Sequence, residues 1–398
     1  MNPYPSPIQL HRPPPAVPLR RENNDQIAYF FHPGYLPPHD LLFTLPCVDP
    51  SDSGQPTNGL HYHTALVACQ IIGNNAFDTG RLFFDRKGKH AVSDMIPPDG
   101  VLRPGRYFFI VNFDPTYRYP IVPSFRDWQF PHDYIVDAWP SLKRDDPPVD
   151  DRPRCALTNH DYGLKKAYIV PREEGEWFMQ NSMSRYGVDM HNVNDSSNIL
   201  RLRADIHRCF DARKFSMVPK ASSSSRGMAY VVHVFQANMG DFSSLYNNMR
   251  LQYLGHISRE FIFSRFAWTI LMLVKPFLLV GTPRSVVRCQ INQGIMEWKA
   301  EDWSSPRLSS FYGGGGTRSA SLKKQKRQRE EYGEEGGSLA DSDEWASDED
   351  GGGPKRVRLQ NHGGDEILDV PLLFDLIGKQ YGAPYEVHSW QYEDVRGD

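Results

Sequence analysis

The stretch from residue 304 to residue 365 most strongly limits what this chain can fold into. It has few aliphatic residues and consists of a glycine run, two basic clusters and an acidic run. Such charge blocks cannot bury enough apolar surface to offset the entropy cost of ordering, so we expect a disordered linker over 304–365. The rest of the 398 residues must then supply the folded mass, which is enough for two compact units plus tails.

Charge and cysteine usage exclude several classes of protein. The net charge of −3 gives no overall field that would draw the chain onto nucleic acid, so any such contact must come from a local patch.

The longest apolar stretch, Phe266–Val280, is too short to span a bilayer and is interrupted by Lys275, which predicts a buried helix and no membrane association. The N-terminus lacks the apolar run of a secretory signal, so a reducing compartment is expected. The cysteines are odd in number and never paired as C-x-x-C, which argues against a disulfide scaffold: Cys47, Cys69, Cys155, Cys209 and Cys289.

Two regions precede the central part of the chain. Residues 1–24 are rich in proline and arginine and predict a disordered arm. Residues 25–145 contain short runs of aromatic and β-branched residues bounded by turn residues, which predicts a β-rich N-terminal domain. The run His61–Ile72 fits either a strand or a helix, because it is apolar throughout. On a strand, His61 and His63 would lie on one face and could offer two imidazoles to a metal ion, although no third ligand is evident.

Residues 151–220 show the most informative pattern. The segment contains an apolar strand, a polar loop, a second strand, a short helix and a last strand: Ala167–Pro171, Asp189–Ser197, Asn198–Leu202, Ala204–Asp211 and Lys214–Lys220. Strands next to a short helix within 70 residues predict a compact α+β unit.

Several irregular features of this unit occur at characteristic spacings. They are Cys155 and Thr158, the strand Ala167–Pro171, Asn198 with Leu200 and Leu202, and Asp205, His207, Phe210 and Asp211. In this order the segment resembles the HNH endonuclease family, specifically its branch common in fungal proteins, over about 65 residues. The resemblance implies a ββα-metal fold around one divalent ion, Mg²⁺ or Mn²⁺, and hydrolysis of phosphodiester bonds.

The resemblance also assigns roles to individual positions. His207 matches the metal ligand, Asn198 the central asparagine, and Tyr168 the strand histidine that acts as the general base. Tyrosine has a pKa near 10, so its neutral hydroxyl is a poor activator of water at neutral pH. The expected function is therefore a nuclease-like protein that is impaired or inactive in cleavage, and that needs no cofactor if inactive.

Two alternatives remain open at this point. His160, in the loop before the first strand, could act as a substitute base in an active nuclease. Alternatively, the chain could be a nuclear regulatory or interaction protein that uses the HNH fold as a platform without catalysis. Residues 151–220 hold twelve Lys and Arg against nine Asp and Glu, and the residues nearest the motif could contact DNA phosphates: Lys165, Lys166, Arg201 and Arg203.

The C-terminal half completes the predicted organisation. Residues 221–303 predict a strand followed by a helical segment that packs on the body, and 366–398 predict a short amphipathic segment. The basic clusters Lys323–Arg329 and Lys355–Arg358 resemble nuclear localisation signals, so an import carrier and a nuclear location, or otherwise a cytoplasmic one, are expected. The fold class is accordingly α+β: a β-rich N-terminal domain, a ββα-metal (HNH-like) unit, a helical C-terminal segment and a disordered charged tail.

Overall fold

The computed structural model describes seven stretches of the chain: residues 26–50, 58–135, 139–141, 152–221, 227–237, 239–292 and 295–313. The predicted arm, both basic clusters of the linker and the C-terminal segment lie outside these residues. Within them, helices and strands occur in similar amounts and the strands form several small sheets, which confirms the α+β class.

The N-terminal region contains a mixed four-stranded sheet and one helix. Its elements are β1 (Ile27–Phe31), β2 (Leu41–Pro46), β3 (Leu60–His61), α1 (Tyr62–Ile72), β4 (Gly80–Phe83), β5 (Val101–Leu102) and β6 (Gly105–Val111). The strand order is β2-β1-β6-β4, with β1 parallel to β6 and the other two pairs antiparallel. Strands β3 and β5 pair separately at the start of α1. As expected, this region is rich in strands.

Helix α1 settles the ambiguous run that begins at His61. The helix is buried on nearly all sides because it packs against β4 on one side and a later central helix on the other. His61 is its N-cap residue, and the ring accepts a hydrogen bond from the Thr64 N–H. Of the two structures that the sequence left open, the run after His61 is therefore a helix, and the strand on which His61 and His63 would share one face does not form.

The central segment folds as strand, helix, strand, helix, strand. Its elements are β7 (Leu164–Tyr168), α2 (Gly175–Gln180), β8 (Ile199–Arg203), α3 (Ala204–Asp211) and β9 (Phe215–Ala221), followed by β10 (Met228–Val234). Strands β7 and β8 are antiparallel, with Tyr168 opposite Ile199, and β9 pairs with β10. Helix α3 begins directly after β8 and buries Ile206 and Phe210. The predicted strand–strand–helix order is confirmed.

The last described region contains helices and a long two-stranded ribbon. Its elements are α4 (Asp241–Tyr246), α5 (Arg259–Ile270), α6 (Lys275–Leu279), β11 (Arg284–Asn292), β12 (Ile295–Trp303) and α7 (Ser305–Tyr312). The ribbon β11–β12 was not predicted. Helix α7 occupies residues that were assigned to the disordered linker, so the predicted start of that linker at residue 304 is wrong. The helix is fixed by the buried Leu308 and by the Tyr312 hydroxyl, which donates to Asp127 Oδ2 at 3.0 Å.

One core connects these regions around helix α5. The rings of Trp128, from the N-terminal region, and Trp177, from α2, are stacked with centroids 5.6 Å apart, and Phe263 of α5 packs against Trp128. The helical run Arg259–Leu279 is long and apolar enough to cross a membrane by length and composition alone. Because 72% of that apolar window is buried inside the protein, core packing accounts for its composition.

A buried histidine gives the fold a defined response to acid. The His32 ring stacks on Tyr119 with centroids 3.6 Å apart, and its Nε2 lies 3.1 Å from the Tyr119 carbonyl oxygen. Burial, reinforced by the nearby Arg284 cation, lowers the pKa of His32 from 6.5 to about 3. Between about pH 3 and pH 6.5 this histidine is protonated in the unfolded chain but not in the folded chain. The contribution of His32 to the unfolding free energy is therefore complete above pH 6.5 and decreases as the pH falls toward 3.

We expect His32 to contribute about 1.4 kcal/mol per pH unit to the slope of the unfolding free energy between about pH 6 and pH 4. The variant His32→Phe keeps the stacking on Tyr119 but cannot titrate, so urea denaturation at several pH values should give a slope smaller by that amount. The variant His191→Gln, at an exposed histidine, is the control and should keep the wild-type slope. An unchanged slope in His32→Phe would contradict the assignment.

Candidate functional site

Asn198 ties the end of the first strand to the polar loop. Its side chain is fully buried at the start of β8. The Oδ1 atom accepts the Val170 N–H at 2.7 Å, and Nδ2 donates to the carbonyl oxygens of Val170 at 3.0 Å and Val193 at 2.8 Å. Because both ends of the amide are occupied by backbone groups, Asn198 fixes the backbone just after Tyr168.

The polar loop is organised around a buried carboxylate. Asp195 Oδ2 accepts the N–H groups of Val188, Asp189 and Met190 at 2.9, 3.1 and 2.8 Å, and Oδ1 accepts hydrogen bonds from Ser197. Although burial opposes ionisation, these hydrogen bonds hold the pKa of Asp195 well below its usual value. The loop before β8 is thus closed on itself by an ionised side chain.

Tyr168 stands at the last position of β7, where the strand histidine was expected. The side chain is half-buried, and its hydroxyl donates to Asn194 Oδ1 at 3.3 Å. The guanidinium carbon of Arg172 lies 5.5 Å from the ring centroid. The phenol therefore sits between a neutral amide and a cation.

His207 lies in α3 and is partly exposed. Its Nε2 is 3.4 Å from Asp211 Oδ2, one helical turn further on. Among the residues that the structure describes, no three His, Cys, Asp or Glu side chains are grouped as ligands of one metal ion. His207 and Asp211 offer two donors, an imidazole and a carboxylate, and Mg²⁺ commonly takes only one or two carboxylates from a protein, with waters and substrate phosphates completing its shell. This pair would hold the divalent ion that the resemblance implies.

The proposed substitute base lies at the other end of the strand. His160 is exposed, its ring lies beside Tyr162, and its carbonyl oxygen accepts the Cys155 N–H at 2.8 Å. Cys155 Sγ in turn accepts the N–H of Arg203, the residue opposite Leu164 at the start of β7. At about 3.3 Å per residue, the length of β7 separates this end from Tyr168 by roughly 13 Å. The structure does not bring His160 and Tyr168 together.

The predicted phosphate-contacting residues divide into two groups. Lys166 lies directly opposite Arg201 in the β7–β8 pair, and both are exposed, as is Lys165. In the described part of the chain, no carboxylate lies within ion-pair distance of these three side chains. Arg203 differs, because Nε and Nη2 donate to the two carboxylate oxygens of Asp205, both at 2.7 Å, and this pair raises its pKa.

Arg265 was missed at the sequence level. It is fully buried in α5, and its guanidinium donates to the carbonyl oxygens of Tyr168 and Ile169, both at 3.4 Å, and to that of Phe210. The group also stacks on Phe210, with its carbon 3.5 Å from the ring centroid. Burial lowers the pKa of Arg265 from 12.5 to about 9, so it remains a cation at neutral pH. A single arginine inside an otherwise apolar helix was the available signal.

Arg265 therefore joins the two elements that carry the motif positions. Its contacts reach the end of β7, where Tyr168 lies, and the last turn of α3, which carries His207. A planar group with several donors can bridge backbone carbonyls in this way, whereas a lysine supplies only one point charge.

Comparison with known proteins bears on this segment alone. Searches of the curated proteins and of the solved structures give no significant match to the chain. Residues 155–218 match the family model described as HNH endonuclease, so this segment, with its β7–β8 pair and helix α3, is an HNH-type domain.

Proposed function

We propose that the HNH-type domain of this chain is impaired in phosphodiester cleavage and serves as a folded platform for nucleic-acid or protein contacts. The observation that carries the proposal is Tyr168, which occupies the end of β7 and directs its hydroxyl at Asn194. Neither β7 nor β8 contains a histidine, and the imidazole of His256 approaches the strand pair at the Ile199 carbonyl oxygen, 3.2 Å from its Nε2, without occupying the position of Tyr168.

The chemistry of hydrolysis explains why this substitution matters. Water must be deprotonated near neutral pH, and a positioned base of suitable pKa contributes about 10²- to 10⁴-fold to the rate. A tyrosine hydroxyl is protonated at that pH, and its proton is already donated to Asn194. The second requirement, a metal ion that neutralises charge on the leaving oxygen, would fall to His207 and Asp211.

The exposed face of the strand pair supports contact with a polyanion. Lys166 and Arg201 face each other across the pair, where like charges repel unless an anion lies between them. Backbone phosphates of DNA supply such an anion without any sequence preference. With the basic clusters Lys323–Arg329 and Lys355–Arg358, which lie outside the described residues, this favours a nuclear protein that an import carrier recognises.

A plasmid-nicking assay with Mg²⁺ or Mn²⁺ tests the proposal. We expect the wild-type chain to leave supercoiled DNA intact. The variant Tyr168→His places an imidazole at the end of β7 and should introduce nicking, with a rate at least about 100-fold above the wild type. The double variant Tyr168→His/His207→Ala is the matched control and should lose that activity.

Two results would overturn the proposal. Robust nicking by the wild type that disappears in His207→Ala would show an active nuclease that uses the helix histidine. Nicking by the wild type that disappears in His160→Ala alone would show that this histidine is the base. Binding of DNA without cleavage, weakening steeply as salt rises, would favour phosphate contact, and salt-insensitive partner binding without DNA affinity would favour a protein platform.

A further inference from the structure

A cleft lies outside the HNH-type domain, between the loop after α1 and the end of β6. Its volume is about 310 Å³, at the lower end of the range of about 300–1,000 Å³ that small-molecule sites occupy. Its lining comes from three segments of the N-terminal region: residues 73–79, residues 111–112, and residues 117, 119 and 120. Nothing in the proposed function uses this cleft.

The backbone around the cleft is held in a costly conformation. Nine non-glycine residues of the described chain have a positive φ, and four of them lie here: Asn74, Asn75, Asn112 and Phe113. Asparagine tolerates the left-handed region, but a bulky residue such as phenylalanine rarely adopts it. Phe113 has a φ of 56° and is 65% exposed, so burial does not offset this cost. Backbone strain without a packing reward indicates a functional role for this turn.

The cleft is formed in advance of any ligand. Asn75 Nδ2 donates to the Gln129 carbonyl oxygen at 2.8 Å, and Asn75 Oδ1 accepts the Trp128 Nε1–H at 2.7 Å. The Asn112 N–H donates to the Thr79 carbonyl oxygen at 3.0 Å, which joins the two walls. Because these contacts already fix both walls, a ligand would not have to order them on binding.

The free polar groups of the cleft suit a heterocyclic base. In the part of the chain that the structure describes, the side chains of Asn74, Asp78 and Asn112 have no hydrogen-bond or ion-pair partner. Their amides and carboxylate supply both donors and acceptors. No Lys, Arg or His is among the described residues that line the cleft, which disfavours a phosphate inside it. The Tyr117 ring, 39% exposed, offers a surface on which a base can stack.

A cation and a second aromatic ring lie beside the cleft. Phe113 directly follows Asn112, and the guanidinium carbon of Arg81 lies 5.0 Å from the Phe113 ring centroid. Arg81 is exposed, and no carboxylate of the described residues lies within ion-pair distance of it. A planar guanidinium that is free of a carboxylate can bind a phosphate with two parallel hydrogen bonds.

We propose that this cleft binds a purine nucleotide. The base stacks on Tyr117, the Asp78 carboxylate accepts hydrogen bonds from the base, and the Asn112 amide pairs with its remaining polar edge. Arg81, held over Phe113, contacts the phosphate outside the cleft. Guanine fits better than adenine, because its neighbouring N1–H and N2–H₂ groups can both donate to one carboxylate. A free guanosine nucleotide and a guanine in a single strand offer this same chemistry.

Calorimetric titration of the full chain with guanosine 5′-monophosphate tests this site. We expect the wild type to bind one nucleotide with a dissociation constant below about 1 mM. Asp78→Asn should weaken binding by about tenfold, because hydrogen bonds to a charged acceptor are lost. Arg81→Gln should weaken binding of the nucleotide by about tenfold but leave binding of guanosine, which lacks the phosphate, unchanged. Adenosine 5′-monophosphate should bind about tenfold more weakly than the guanosine nucleotide.

Variants of the aromatic residues separate ligand binding from a structural role. Tyr117→Leu should weaken nucleotide binding by about tenfold through lost stacking. Phe113→Gly relieves the left-handed strain, so its melting temperature should not fall, while nucleotide affinity should fall about threefold because Arg81 loses its ring. Asp133→Asn and Tyr134→Leu, at exposed residues that do not line the cleft, are the matched controls and should keep the wild-type affinity.

A short single-stranded oligonucleotide with one guanine distinguishes the two sources of the ligand. Displacement of the oligonucleotide by guanosine 5′-monophosphate, with weaker binding of both in Asp78→Asn, would show that single strands also use the cleft. Oligonucleotide binding that is independent of Asp78 would leave the free nucleotide as the ligand.

Three results would overturn the proposal: no saturable binding of guanosine 5′-monophosphate by the wild type below about 1 mM, wild-type affinity in folded Asp78→Asn, or an equal loss of affinity in Asp133→Asn. None of these outcomes depends on whether the HNH-type domain cleaves DNA.

Discussion

The variant Arg265→Ala is expected to lose about 4 kcal/mol of unfolding free energy. The substitution removes the Arg265 donors from the carbonyl oxygens of Tyr168 and Ile169, while the Phe210 carbonyl keeps the Arg213 N–H, and a buried group left without a partner costs about 1 kcal/mol or more. It also empties the space between Phe210 and Trp268, whose ring centroids lie 3.5 and 4.4 Å from the guanidinium carbon.

Urea denaturation followed by circular dichroism measures this loss. Arg265→Lys keeps the positive charge and most of the aliphatic side chain but lacks the planar guanidinium group. We therefore expect it to restore less than half of the unfolding free energy that Arg265→Ala loses. Arg208→Ala, at an exposed arginine of α3, is the matched control and should change stability by no more than about 0.5 kcal/mol. A loss in Arg265→Ala as small as in the control would show that the buried guanidinium does not hold β7 and α3 together.

The variant Lys220→Met should cost about 3–5 kcal/mol, because it leaves Asp49 ionised and without its cation in the interior. Asp49 is almost fully buried, and although burial opposes its ionisation, Lys220 at 2.6 Å holds the pKa of that carboxyl well below its usual range. Methionine matches the stem of lysine in length, so the loss reports on charge rather than on volume.

A double-mutant cycle checks the origin of this loss. Asp49→Asn/Lys220→Met removes both charges while the asparagine oxygen can still accept the His61 N–H, so we expect the double variant to recover about 2 kcal/mol relative to Lys220→Met. Lys165→Met, at an exposed lysine of β7, should leave the unfolding free energy unchanged. If the effects of the two single changes simply add, the pair is not coupled and the explanation fails.

The elements of the HNH-type domain were predictable because their signals are local. The helix Ala204–Asp211 carries its pattern within a few residues, and the structure places it at the expected bounds. The first strand is found in the same part of the chain, but it spans Leu164–Tyr168 rather than the predicted Ala167–Pro171. Asn198 was assigned from the resemblance to the HNH endonuclease family. Its hydrogen bonds to the backbone follow from the chemistry of an uncharged amide.

The parts that were not predictable depend on contacts between distant segments. The ribbon β11–β12 is docked through Arg288, whose Nε donates to Asp127 Oδ1 at 2.6 Å across 161 residues of sequence. Helix α7 is short, so it depends on tertiary contacts: the burial of Leu308 and the hydrogen bond of Tyr312 to the same aspartate. Arg265 bridges residues 55 to 97 positions away. No pattern within a few residues of the sequence indicates which distant residues these side chains contact.

The pair His61 and His63 shows a different limit. The spacing of these histidines drew attention to them, but the geometry inferred from it required a strand, and His61 is instead the N-cap residue of α1. The loop that carries Asp99 reaches His61 because Gly100 O accepts the Tyr62 N–H at 2.9 Å. A long-range backbone contact, rather than sequence spacing, makes these two residues neighbours.

The stacked rings of Trp128 and Trp177 have a consequence for where this domain can be cut out of the chain. Residues 155–218 share their interior with the segments on both sides. Excision of these residues alone would expose Trp177, Phe178 and Phe210 to water. The boundary of the family match is therefore not a boundary of the hydrophobic core.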